Sequence, residues 1–73
     1  MKTVRIFRTN VFQDQDASQL ASSLHGAYPH YKVNFDLTDE ERILRVETQQ
    51  LPVEINAIVN YMMTLGYQCE HIE

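Results

Sequence analysis

The sequence predicts an α+β fold, with two amphipathic helices on one face of a four-stranded antiparallel sheet and the chain order β-α-β-β-α-β. Three observations carry this. Apolar and polar residues alternate in two neighbouring segments after residue 31, as they do in half-buried strands. Apolar residues recur at helical spacing in two other segments, after residues 16 and 52. Glycine and proline, two of each, punctuate the segment ends.

The first strand is read at Thr3 to Arg8, which is rich in β-branched and aromatic residues. Val4 and Ile6 share one face and Arg5 lies on the other, while Phe7 breaks the alternation and admits a bulge. Ala17, Leu20, Ala21, Leu24 and Tyr28 then follow helical spacing, with Ser18, Ser22, Ser23 and His25 on the opposite side. Asp16, with Gln19 three residues later, matches a capping box, and Asp14 is the alternative cap. Either carboxylate suits the positive end of the helix dipole. Gly26 and Pro29 end this helix.

Lys32 to Leu37 alternates, with Val33, Phe35 and Leu37 inward and Asn34 and Asp36 outward. Thr38–Glu41 reads as a turn, and Arg42 to Thr48 as a strand with Leu44 and Val46 inward, completing an antiparallel hairpin. Pro52 suits the first turn of a second helix. Ile55, Ile58, Val59, Met62 and Leu65 form its apolar stripe, and Gly66 is placed to stop it in the left-handed conformation. Tyr67 to Ile72 forms a short last strand. Both helix stripes are buried if the helices share one face of the sheet, which is a ferredoxin-like sandwich.

The 73 residues suffice for a single domain spanning 1–73. Their 44% hydrophobic content suits a globular chain. No apolar run approaches the roughly 18 residues of a membrane span. Charges interrupt the apolar residues of the opening MKTVRIFRTN, unlike a signal peptide. The single Cys69 has no internal disulfide partner, so the expected location is cytoplasmic. The net charge is -4, and six basic residues are spread over Lys2, Arg5, Arg8, Lys32, Arg42 and Arg45. Phosphate recognition needs clustered cations, so nucleic acid is not an expected partner. All six nevertheless fall in strand-like segments, and a sheet face that gathered Arg5 with Arg45 would alter this reading.

The junction Val11-Phe12-Gln13-Asp14-Gln15-Asp16, the spacing of Leu20 and Leu24, the hairpin FDLTDEERILRVE and the closing LGYQCE together resemble the heavy-metal-associated domain of copper chaperones and metal-transporting ATPases. The resemblance covers nearly the whole chain and extends to small, cysteine-less bacterial relatives of that domain. The family carries Met-x-Cys-x-x-Cys in this loop. The resemblance sets Val11 at the methionine, Gln13 and Asp16 at the cysteines, and Gly66 and Tyr67 at the family's Gly-Tyr ending. An amide and a carboxylate do not replace two thiolates for copper(I), so copper transfer is not expected.

The candidate binding loop thus consists of Val11, Gln13, Asp14 and Asp16, with Gly66 and Tyr67. Its oxygens could meet a hard cation, but such ions take about six or more oxygen ligands, and helix capping accounts for the same acids. Cys69 and His71 lie two apart and point the same way in a strand. They are the alternative metal ligands, although a structural zinc site usually takes four and an inward cysteine also packs as a small hydrophobe. Met62 belongs to the helical stripe and Met63 lies off it. Tyr28 and Tyr31 around His30 either form an aromatic surface patch or close the helix layer. Neither an activated nucleophile nor a phosphate loop is evident, so no enzyme activity and no cofactor are expected. The expected role is a non-enzymatic binding or regulatory module. Its partner, a protein or a second copy, would use a sheet edge or the loop Val11 to Asp16. The alternative is weak cation binding by the loop carboxylates or by Cys69 and His71. An ACT-type ligand-binding domain shares the chain order, but the glycine-rich loop it would need is missing from the first strand–helix junction.

Overall fold

A computed structural model of the protein describes residues 2–49 and 52–72. Its elements are β1 (Thr3–Thr9), α1 (Asp14–Ala27), β2 (Lys32–Asp36), β3 (Ile43–Thr48), α2 (Ile55–Thr64) and β4 (Cys69–His71). The strands form one antiparallel sheet in the order β2-β3-β1-β4, so β2 and β4 are its edges. This is the ferredoxin-like α+β sandwich expected from the period changes.

Register explains which sheet face is buried. Phe7 pairs with Leu44, Leu44 with Phe35, and Val46 with Val33. Directly paired residues share a face, so these side chains line one surface. Phe7, Leu44 and Val46 are fully buried there. Ala17, Leu20 and Leu24 of α1 and Ile58 and Met62 of α2 close over them. Phe7 therefore marks the core face of β1, and the pairing from Thr3 to Arg8 runs without a bulge. Val4 and Ile6 share a face as expected, but it is the face away from the helices.

The helix starts differ from the capping expectation. α1 begins at Asp14 with Gln13 as N-cap, and no side chain caps it. Asp16 is already inside the helix, three residues past the N-cap, and so is not itself the capping residue. Asp14 and Asp16 instead put negative charge in the first turn, toward the positive end of the dipole. Gly26 stays helical, and the helix closes one residue past Ala27, where the Tyr28 N–H donates to the Leu24 carbonyl at 2.7 Å. Pro52 precedes α2 instead of entering it, because Glu54 is that helix's N-cap.

A tyrosine from elsewhere in the chain serves the start of α2. The Tyr31 hydroxyl accepts from the Glu54 N–H at 2.9 Å and donates to the Pro52 carbonyl at 3.3 Å. Tyr28 stacks on Tyr31 with centroids 5.3 Å apart, and Tyr61 meets Tyr28 edge-on at 6.1 Å. These rings close the helix layer, leaving His30 exposed outside it. At the other end of α2, Gly66 adopts φ +94°. Its N–H donates to Met63 O and that of Tyr67 to Met62 O, both at 3.0 Å, so the last carbonyls are satisfied. Leu65 lies beyond the last helical turn and is 48% exposed, outside the stripe assigned to it from spacing.

Candidate functional site

Three connections meet at the end of the sandwich where β1 runs into α1. The Thr9 N–H is shared by the carbonyls of Glu41 and Arg42, each at 3.2 Å. The Thr9 hydroxyl donates to the Arg42 carbonyl at 2.6 Å and accepts from the Val11 N–H at 3.2 Å. The Asn10 side-chain oxygen accepts from the Gln68 N–H at 2.8 Å. The hairpin turn, the loop after β1 and the loop after α2 are thereby tied together.

Val11 turns inward and is fully buried, anchoring this end. Phe12, the next residue, points out and is 66% exposed. The Arg42 guanidinium lies 5.1 Å from its ring centroid and donates to the Leu37 carbonyl at 2.7 Å. Arg42 has φ +53°, a left-handed conformation that side chains other than glycine seldom adopt. Its Nε is buried and has no hydrogen-bond partner among the described residues.

From Phe12 and Arg42 a groove of about 560 Å³ runs between α1 and the edge strand β2. Ala17, Ser18 and Ala21 make its helix wall, and Val33 and Phe35 its strand wall. Small helix residues keep the groove open, so both strand residues are only partly covered. At its upper end Asp36 accepts from the Thr38 hydroxyl at 2.6 Å and the Thr38 N–H at 3.1 Å. These bonds, the hydroxyl's foremost, hold the Asp36 pKa below the ordinary carboxylate value.

The structure separates the loop's carboxylates. Asp14 borders the groove at β2, whereas Asp16 lines a cleft between α1 and the segment after α2, with Leu65 and Tyr67. Residues two apart on a helix point roughly 200° apart, so the two acids cannot converge on one ion. Gln13, at the N-cap, is exposed, and Gly66 serves the helix stop. Asp16 and Tyr67 are the members of the expected site that do come together.

Cys69 and His71 share the helix side of β4 through their pairing with Thr9 and Phe7. Their chemistry diverges. Burial pushes the Cys69 thiol up to about 12, which keeps it protonated at neutral pH. The His71 ring packs 5.5 Å from the Phe7 ring. Among the described residues, no group of three or more His, Cys, Asp or Glu is placed to hold a metal ion.

The sheet does not gather Arg5 with Arg45. Arg5 pairs with buried Val46 and Arg45 with Ile6, so the two arginines lie on opposite faces. On the open face, Glu47 sits 3.2 Å from Lys2, and Arg8 is paired with Glu70. The hydrogen bond from Lys2 lowers the Glu47 pKa most, assisted by the charges of Lys32 and Arg45. The surface is a mixed-charge lattice around Val4, Ile6 and Ile43.

Sequence reasoning missed Phe12 and Arg42. The readable signal for Phe12 was an aromatic residue directly after an inward valine in a polar junction. Among the described residues, no helix is long and apolar enough to cross a membrane. Compared with protein-family models, curated proteins and solved structures, the chain matches none.

Proposed function

We propose that this chain is a small, non-enzymatic, cytoplasmic interaction module on a scaffold like the heavy-metal-associated domain, with the soft-metal loop lost. The observation that carries this reading is the unpaired edge of β2 beside an open groove, with half-covered Val33 and Phe35 along it and exposed Phe12 at its end. An edge strand offers backbone donors and acceptors to a partner, and alternate side chains beside it give selectivity. The loop Val11 to Asp16 supports the same use: Val11 fixes it to the core while Phe12 is left outside. The divergence of Asp14 and Asp16 favours this reading over cation binding by the loop.

The test is capture from an extract of the native cells with the tagged chain, alongside its mass in solution. Recovery of a specific protein, or self-association, is the expected result. A chain that stays monomeric and retains nothing above an untagged control removes the proposal. Calorimetric titration with Zn²⁺, Cu⁺ and Ca²⁺ is expected to give no heat of binding at concentrations up to about 1 mM.

A further inference from the structure

The outer edge of β2 carries a charge pattern that reads the same when the strand is laid against itself. Lys32, Asn34 and Asp36 lie on the open face, while Val33 and Phe35 lie on the helix side. When two copies of β2 run antiparallel about a two-fold axis at Asn34, Lys32 falls opposite Asp36 of the second copy and Asp36 opposite its Lys32. Val33 then faces Phe35 in both halves, and Asn34 faces itself. Opposite charges and apolar pairs directly across antiparallel strands stabilise the pairing, and like charges destabilise it.

We infer that the β2 edge pairs with the β2 edge of a second copy of this chain, antiparallel and centred on Asn34, extending the sheet through the dimer. This rests on the interaction-module reading and names its partner. Other registers lose the complementarity. Parallel alignment sets Lys32 beside Lys32 and Asp36 beside Asp36. Antiparallel slips centred on either charged residue place like charges face to face. Antiparallel pairings centred on Val33 or Phe35 keep the faces matched but leave Lys32 or Asp36 opposite Asn34, without its opposite charge. A register displaced by a single residue sets polar side chains against apolar ones, because strand residues alternate between faces.

The surroundings agree with this occupant. Among the described residues, alternate backbone N–H and C=O groups on the outer side of β2 have no neighbouring strand. Val33 and Phe35 are half-covered in one copy and become interior neighbours in two. Ala17, Ser18 and Ala21 leave space over the strand edge, so α1 of each copy does not obstruct the approach. Thr38 fixes the Asp36 carboxylate in place with two hydrogen bonds.

The experiment is sedimentation analysis of the full chain and of two charge-reversed variants, Lys32→Glu and Asp36→Lys. Both positions are exposed, so each variant keeps the fold, which circular dichroism verifies. The wild type is expected to dimerise with a dissociation constant below about 1 mM. Each variant alone sets like charges together at both symmetric positions and weakens the dimer about tenfold to a hundredfold. An equimolar mixture of the two variants regains wild-type association. The introduced glutamate of one copy then meets the introduced lysine of the other, and the unchanged Asp36 of the first meets the unchanged Lys32 of the second. A wild type that stays monomeric at about 1 mM overturns the inference. So does a dimer unaffected by either variant, or one that mixing fails to restore. If such a monomer still captures another protein, the module reading survives and the second-copy inference alone falls.

Discussion

Where α1 runs into β2, the stacked rings of Tyr28 and Tyr31, the edge-on Tyr61 and the Tyr31 hydroxyl bonded to Glu54 and Pro52 seal the sandwich. At the opposite end, Thr9, Val11, Asn10 and Arg42 tie three connections together through backbone groups, yet Phe12 stays 66% exposed and Met63 59%. One end uses its aromatic surface internally. The other satisfies its backbone and leaves large apolar side chains in water. The difference divides stability from recognition, since exposed apolar surface contributes little to folding and is available to a partner.

The strongest challenge to this division is Tyr31→Ala. The side chain is 7% exposed, and truncating a buried aromatic costs about 3–5 kcal/mol. Urea unfolding is expected to show a loss of that size. Tyr31→Phe isolates the hydroxyl and should cost about 1–2 kcal/mol, because it leaves the Glu54 N–H without its acceptor. A loss below about 1 kcal/mol for the alanine variant would show that the tyrosine end is not a structural seal.

The contrast between the ends was only partly legible in the sequence. Alternation found β2 and β3 and their inward residues, because each strand has one wet face and one covered face. It did not assign the core face of β1, where Val4 and Ile6 face outward and the covered set contains Arg5 and Thr9 beside Phe7. A central strand with apolar residues on both faces gives no periodic signal to choose between them. Helical spacing found the helix stripes, but local capping rules failed at both helix starts. At α2 the hydrogen-bond partner is Tyr31, which lies 23 residues away and so could not be read locally. Gly66 was legible because a left-handed helix stop is a property of one residue and its immediate neighbours. Phe12 and Arg42 meet across the fold, and the separation of Asp14 from Asp16 depends on where α1 begins.

Gly66→Ala sharpens the comparison by testing the backbone of the loop end apart from its side chains. An added Cβ would meet no atom within 4 Å, so the expected destabilisation comes from forcing alanine to φ +94°. Left-handed backbone costs about 1–2 kcal/mol for a residue with a Cβ. A loss within that range at constant urea dependence would show that this end is well formed in its backbone, although its apolar side chains are exposed. No loss would mean that the turn relaxes and that the end is not held in the described geometry.

Acid titration touches the sheet that joins the two ends. Asp36 and Glu47 have folded pKa values below their ordinary 3.8 and 4.5. Unfolding therefore takes up protons as the pH falls through this region. Their contribution is present above those ordinary values and is lost as the pH drops toward the lowered ones. Stability measured from pH 6 down to about 3 should decline, and Thr38→Val should shrink the Asp36 part by removing its principal hydrogen bond. A decline of the same size in that variant would assign the acid sensitivity to other groups.

The smallest expected effect is the most discriminating. Phe12→Ser removes a ring that is mostly in water, so little burial is lost. Its contact with Arg42 is an exposed cation–π pair, a type that contributes about 0.5–1 kcal/mol. Arg42 keeps its bond to the Leu37 carbonyl, and Val11 still anchors the loop in the core. The thermal and urea midpoints should therefore stay close to wild type, with a stability change below about 1 kcal/mol. A partner that docks at the loop end should be retained less well by this variant in the capture experiment. A large stability loss would place Phe12 with the tyrosines as a structural aromatic, and the division between a sealed end and a presenting end would fail.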